Sequence, residues 1–325
     1  MTSKKQCCLL SFDYLDYDVF LNVRTFYRLA GYEISANDNL SVFQLVIILR
    51  GLPPRVFNEY FGPIHYYDYV REHSYDIYKY FPNASRIYHV TIESFDNNKS
   101  DYKYVYGYLP VIPSIWQFSL PSYRRSSKPI HISNYKPLEN DLYQAQLIDL
   151  IKLGKIKVYG AKWDRIKIST IPLSYLSSNL RLSRSVTCYG LMYPYQRGKS
   201  LSGRMWQAPI QGCLVISEDN TNPFHCPGVI EVESFSNKPE EIKVDANQVA
   251  YEASQFWLNK TICLAKDLNL ALEWRDLRFE IYYSRLLMLK QHLEFHWNLD
   301  IVLPISQALS ATRKECVRFL RKLGM

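Results

Sequence analysis

Short apolar runs alternate along this chain with longer stretches of helical spacing, and that alternation limits the folds open to it more than any other feature. Cys7–Phe12, Tyr32–Ser35, Phe43–Leu49, Pro63–Tyr67 and Arg86–Ile92 are strand-length runs, several bounded by Gly, Pro or Asn. Between the first two, Asp16 to Leu29 sets Phe20, Val23 and Tyr27 near helical spacing, and Gly31 ends the pattern. Tyr69 to Tyr80 reads as a further helix that stops before Pro82. Strands separated by helices pair in parallel and need helical cover on both faces. Residues 1 to 115 therefore read as one small parallel-sheet half.

The pattern then restarts. Pro110, Pro113, Pro121 and Pro129, with Tyr123 to Lys128 between them, have the composition of a linker. Ile130–Asn134 resembles the first strand of a second half. Leu138 to Leu153 follows as an amphipathic helix with Leu142, Ala145, Ile148 and Ile151 along one side and Gly154 as its stop. Ile156–Tyr159 is the next strand, ending at Gly160. Asn237 and Pro239 suit the start of a helix running through Trp257, and Ala265 to His296 and Ser306 to Leu323 read as terminal helices. The chain has 325 residues, and at roughly 150 residues per domain that length fits two domains.

Charge is distributed unevenly. Eleven Lys or Arg and one acid, Asp164, lie between Lys152 and Arg204, whereas eight acids and two lysines lie between Cys213 and Glu252. A basic block inside a folded half implies an anionic partner, with a solvated face as the plain alternative. No apolar run reaches the roughly 20 residues that span a bilayer, and the run after Lys4-Lys5 meets Asp13 too soon for a signal peptide. Seven scattered cysteines without a Cys-x-x-Cys pair argue against a zinc site or disulfide framework and fit a reducing cytosol.

Tyr195 to Glu218 carries the most chemistry. It reads as a Gly/Ser loop, a short helix, a stop at Gly212 and a buried strand. The helix start offers backbone N–H groups, Ser202 and Gly203 permit close approach, and Arg197, Lys199 and Arg204 add charge, a combination suited to a diphosphate. Glu218 ends the strand at the carboxyl edge, where ligands bind open α/β sheets, and a carboxylate there can accept from sugar hydroxyls.

Leu201–Glu218, followed by Pro227-Gly228-Val229-Ile230-Glu231-Val232, resembles the donor-site region of GT-B-fold glycosyltransferases, nearest to the group 1 and spore-maturation-protein-like members. Val158 to Trp163 is similar to their Tyr-Gly-x-x-Trp after a strand, Ile171 to Tyr175 to the segment before their next helix, and Phe235 to Val249 to a helix of theirs opening with Pro-Glu-Glu. The resemblance spans residues 155 to 260 in motif and the first half in layout. It implies an α/β, GT-B-like fold: two Rossmann-like domains with parallel sheets facing across a cleft, and a helical C-terminal tail. The boundaries expected are 1–125 for the acceptor side, 126–265 for the nucleotide-sugar side, and 266–325 for helices packing back on the first domain. It further implies transfer of a sugar from a nucleotide-diphosphate sugar to a hydroxyl of a glycan or lipid-linked glycan, with no cofactor and no metal. The family's diphosphate contacts would fall on Ser202, Gly203 and Arg204 and its donor-hydroxyl contacts on Glu218; with the charges and loop residues read above, the donor site expected is Gly160, Arg197, Lys199, Ser202, Gly203, Arg204, Gln207 and Glu218. The Glu-x7-Glu pair of group 1 enzymes is absent, Lys199 and Gln207 standing in its places.

A catalytic base must reach the acceptor hydroxyl. Asp13, after the first strand, is the first choice, and His65 is the alternative. Asp16, Asp68, His89 and Glu93 also follow or occupy strands, but Asp16-Tyr17-Asp18 reads as a helix start rather than a metal-binding pair. The expected location is the cytoplasm, with peripheral contact at the inner face of a membrane through the basic, aromatic C-terminal helices. Two competing readings are a sugar-nucleotide-binding protein without turnover and a nucleic-acid-binding protein. The second lacks any nucleic-acid motif, and no nucleic-acid partner is expected.

Overall fold

The structure, a computed structural model, describes residues 5–11, 16–35, 39–49, 51, 53–68, 77–92, 102–117, 125–192, 194, 197, 201–235 and 245–298. The first half holds β1 (Lys5–Leu10), β2 (Tyr32–Ser35), β3 (Leu45–Ile48), β4 (Pro63–Tyr67), β5 (Arg86–Thr91) and β6 (Tyr102–Tyr106) in the order β2-β1-β3-β4-β5-β6. The second holds β7 (Ile130–Ile132), β8 (Lys157–Tyr159), β9 (Thr187–Tyr189), β10 (Leu214–Glu218) and β11 (Val229–Val232) in the order β11-β10-β9-β7-β8. Every pairing is parallel. The architecture is the α/β, GT-B-like one, with two parallel sheets and a C-terminal helix.

Helix α1 (Tyr17–Leu29) connects β1 to β2 and buries Val19, Val23 and Phe26 at helical spacing. The same side buries Asp18, Asn22 and Thr25, each needing a partner. Asn22 Oδ1 accepts from the Ile112 N–H at 2.9 Å and from Trp116 Nε1 at 3.0 Å, and Thr25 Oγ1 meets Ser284 Oγ at 2.9 Å. Those partners lie in segments that follow the first sheet.

Part of the Pro-rich stretch expected as a linker is core. Val111, Ile112, Ile115 and Trp116 are buried, and Pro113 opens the short helix α2 (Pro113–Trp116). Pro110 and Pro113 mark a tight path rather than a solvated one, since the residues between them, Val111 and Ile112, are apolar and buried. The Trp116 and Trp206 rings meet edge to face at 5.2 Å, and Tyr108 donates to the Leu201 carbonyl at 2.8 Å, so one apolar cluster runs from the first sheet into the second.

Helix α3 (Leu142–Lys152) starts at Asp141, whose carboxylate accepts from the Gln144 N–H at 2.8 Å. Helices α4 (Tyr175–Ser183) and α5 (Arg204–Ile210) complete the second half. Helix α6 (Ala246–Asp267) begins at an Asp245 cap rather than at Asn237, and residues 236–244 lie outside the described set. It returns to the first half, where Asn269 donates to the Tyr88 hydroxyl at 3.0 Å. Helix α7 (Leu277–Trp297) lies against α1, α2 and α4. Its Glu280 takes Arg24 at 2.8 Å and Arg28 at 3.1 Å, and its His292 meets Ser174 at 2.7 Å. Of the expected helix 69–80, only a single tight turn at Ile77–Tyr80 falls among the described residues, and Ser306–Leu323 lies wholly outside them.

Candidate functional site between the halves

A cleft of about 630 Å³ opens where the carboxyl ends of β7 and β8 face the start of α1. Parallel strands put their connecting loops at that edge, which is where this fold class has room for a ligand. The first half contributes Asp16, Asp18 and Tyr108. The second contributes His131 and Ser133 at the end of β7, Gly160 after β8, and the turn Ser202–Gly203–Arg204 with Gln207.

Gly160 has φ +132°, and a Cβ there would lie 1.9 Å from the Ser133 carbonyl oxygen. Only glycine lets the loops after β7 and β8 approach this closely. The turn at 202–203 leads into α5: Met205 N–H bonds the Ser202 carbonyl and Gln207 N–H the Gly203 carbonyl, both at 2.9 Å. Arg204 is half-buried beside the cleft.

His131 is fully buried and lines the cleft floor. Its Nδ1 lies 2.8 Å from the Tyr189 carbonyl, which can only accept, so Nδ1 carries the proton. Nε2 then accepts from the Ser133 hydroxyl at 2.6 Å. Burial, and secondarily the nearby Arg204 cation, lowers the His131 pKa to about 3, so the ring stays neutral and the Ser133 hydroxyl stays oriented toward it.

Two carboxyls of the first half line the cleft, Asp16 and Asp18, and Asp18 is the buried one. It is 6% exposed, in the first turn of α1, and its Oδ2 accepts from Gln207 Nε2 at 2.5 Å across the cleft. Gly203 lies so close that a Cβ there would come 3.1 Å from the same oxygen. Burial, then the neighbouring Asp16 charge, raises the Asp18 pKa to about 7, while backbone N–H bonds oppose the shift.

The sequence-predicted donor residues separate into three sets. Gly160, Ser202, Gly203, Arg204 and Gln207 line the cleft together. Arg197 and Glu218 are not among its lining residues. Arg197 bridges Asp141 at 2.6 Å and Glu218 at 3.3 Å, its guanidinium stacks on Tyr143 at 5.2 Å, and Glu218, fully buried, accepts from the Met192 N–H at 2.5 Å. Burial raises the Glu218 pKa, against the pull of Met192 and Arg197. Lys199 lies outside the described residues.

Of the candidate bases, Asp13 and Glu93 also lie outside the described residues. His65 sits within the first sheet, away from the cleft lining, with the Tyr27 hydroxyl 2.7 Å from its Nδ1, and burial lowers its pKa to about 3. Asp68 and His89 face each other at 3.4 Å in the same sheet. Among the cleft residues, His131 and Ser133 were not singled out from the sequence, and Asp18 was read only as part of a helix start. For Asp18 a signal existed: Asp18, Asn22 and Thr25 form a polar row at helical spacing beside Val19, Val23 and Phe26. A single His between two isoleucines, as at His131, carries no comparable signal.

No protein-family model and no curated protein sequence matches the chain. Solved structures do match in fold. The chain is similar to a DNA-modifying β-glucosyltransferase, solved with and without uridine diphosphoglucose, at 8% identity and a TM-score of 0.51 over 82% of this chain and 100% of that one. It is also similar to AviGT4, a glycosyltransferase of avilamycin A biosynthesis, at 10% identity and a TM-score of 0.52 over 82% of this chain and 97% of that one. At such identities the likeness carries the fold and not the donor, acceptor or subfamily.

Proposed function

We propose that this protein is a glycosyltransferase that moves a sugar from a nucleotide-diphosphate donor to an acceptor hydroxyl, with Asp18 as the base. The observation that carries this reading is the meeting of the Asp18 carboxyl, from the first half, with the Ser202–Gly203 turn and Gln207 of the second, at the carboxyl edge of a parallel sheet. Asp18 takes the proton of the acceptor hydroxyl as its oxygen bonds to the anomeric carbon. The bond from that carbon to the diphosphate oxygen breaks, and the leaving group departs with the electron pair. Arg204 and the N–H groups of the 202–204 turn hold the charge that develops there. This chemistry asks nothing of a metal, and EDTA is expected to leave turnover unchanged.

The acceptor in this reading is a glycan or lipid-linked glycan, met at the cytoplasmic face of a membrane. Support comes from α7, whose outer side exposes Phe279, Tyr282, Leu286, Leu289, Leu293 and Trp297 at helical spacing. Apolar stripes with Tyr and Trp suit the headgroup level of a bilayer, and Arg313, Lys314, Arg318, Arg321 and Lys322 follow in sequence. No described helix is long and apolar enough to cross a membrane. Phosphatidylglycerol vesicles should sediment the protein, and Leu293→Asp with Trp297→Asp should release it.

The deciding experiment is a thermal-shift panel of nucleoside diphosphates and nucleotide sugars, followed by turnover. At about 100 times its dissociation constant a ligand adds roughly 2.7 kcal/mol to stability. Asp18→Asn should keep the donor-induced shift and lose transfer and donor hydrolysis. Absence of any shift would overturn the reading. A shift without turnover in the wild type would leave a sugar-nucleotide-binding protein.

A further inference from the structure

A second concavity, of about 810 Å³, lies away from the cleft, between α4, β8 and the segment entering β7. Four cations line it: Lys128, Lys157, Arg181 and Arg184. No carboxylate does, and neither Lys128, Lys157 nor Arg181 pairs with an acid among the described residues. Lys157 and Tyr159 point to the same side of β8, and the buried Tyr159 ring gathers two of the charges, with Lys157 Nζ 5.4 Å and the Arg181 guanidinium 5.0 Å from its centre. Arg181 and Arg184 are three residues apart along α4 and its end. The hydroxyl of Ser169 adds a neutral donor. Like charges gathered in one hollow repel one another, and an anion relieves that repulsion.

We propose that this hollow is a binding site for a compact oligophosphate, separate from the cleft. The Arg181 guanidinium fork matches the tetrahedral oxygens of phosphate, and together with Lys128 and Lys157 it matches several linked phosphate groups better than one carboxylate. The hollow is also the size of an ordinary small-ligand pocket. Among the described residues a nucleobase finds no open ring to stack on there, because Tyr159 is buried beneath the cations. The basic block of the sequence is thereby divided: Arg204 serves the cleft, and Lys157, Arg181 and Arg184 serve the second site. Helix α4 separates the two, presenting Ser178 and Leu182 to the cleft and Arg181 to the hollow.

The test is calorimetric titration of tripolyphosphate into the intact chain and three variants. Lys157→Gln with Arg181→Gln should weaken binding about tenfold or more, as expected on losing charge-assisted contacts. Lys128→Gln with Arg184→Gln should do the same from the other side of the hollow. Arg204→Ala, which weakens the cleft's own hold on a diphosphate, should leave tripolyphosphate binding at the hollow in place. Melting curves without ligand should show both double variants folded, at the wild-type temperature or above it, since repulsion is removed. Unchanged tripolyphosphate affinity in both double variants would overturn the site. So would a single-stranded oligonucleotide that binds the wild type more tightly than tripolyphosphate at equal phosphate and loses that advantage in the double variants, because the partner would then be a nucleic acid.

Discussion

Ionising Asp18 places a charge on a side chain that is 6% exposed and beside Asp16, which is why its pKa rises to about 7. A raised carboxyl pKa means that the folded chain holds a proton the unfolded chain has already lost between about pH 4 and pH 7. Stability from this group is therefore present at acid pH and falls as pH rises through 7. Asp18→Asn keeps the shape and removes the charge. Its melting temperature should equal that of the wild type near pH 4 and exceed it at pH 8, by an amount on the order of a few kcal/mol in stability. In the wild type, kcat/KM should rise with pH through about 7, because the proposed base works only when ionised. A variant no more stable at pH 8 than at pH 4, relative to wild type, would remove the buried-charge account. Arg204 carries the complementary prediction. Losing a charge-assisted hydrogen bond costs roughly 1.5–3 kcal/mol, so Arg204→Ala should weaken nucleoside diphosphate binding about ten- to hundredfold. Binding of the nucleoside alone should hardly change, and calorimetry of both ligands against both proteins separates the two effects.

At the scale of elements, what the sequence disclosed depended on how much of each signal was local. Helix α1 was legible because spacing and the stop at Gly31 sit within the segment itself, and β4 was legible because Pro63–Tyr67 is bounded by its own punctuation. The α5 turn was legible for the same reason, with Ser202 and Gly203 placed just ahead of the helix. Strand β6 escaped because Tyr102–Tyr106 is tyrosine and lysine around one valine, and β9 because Thr187–Tyr189 holds no aliphatic residue. Their strand character comes from the neighbours they pair with. Arg197 and Glu218 show the same limit at the site: their residue types suit a donor, yet which partner each takes depends on the fold bringing Asp141 alongside. Asn22 tests how far such non-local partners matter. Its side-chain oxygen serves two buried donors, Ile112 N–H and Trp116 Nε1. Asn22→Ala leaves both without a partner, at roughly 1–3 kcal/mol each, so the urea midpoint should fall with an unchanged slope. Asn22→Leu should not restore it, because filling the volume supplies no acceptor.

At the scale of the whole molecule, the two sheets are separate but their supporting layers are not. Trp116 meets Trp206, Arg125 donates to the Gln211 carbonyl at 2.8 Å, and Thr261 of α6 exchanges hydrogen bonds with Val111 at 2.8 and 3.0 Å. Arg285 of α7 donates to the Ser114 carbonyl at 2.9 Å, while the same helix holds α1 through Glu280 and α4 through His292. Beside the cleft, therefore, the halves meet through packed layers rather than through solvated surfaces. Cutting between them would expose Trp116, Trp206, Met205 and Ile115, all buried now, and each large apolar side chain contributes roughly 1.5–3 kcal/mol through its burial. Cooperative unfolding follows, because melting one half removes the cover of the other. Calorimetry of the intact chain should show one transition, with van't Hoff and calorimetric enthalpies in agreement. A cleft ligand should move that whole transition upward. A fragment of residues 126–265, the second half alone, should lack a cooperative melt. Two resolved transitions, only one of them responsive to nucleoside diphosphate, would show instead that the second half stands by itself and that the shared core is a contact surface between independent folding units.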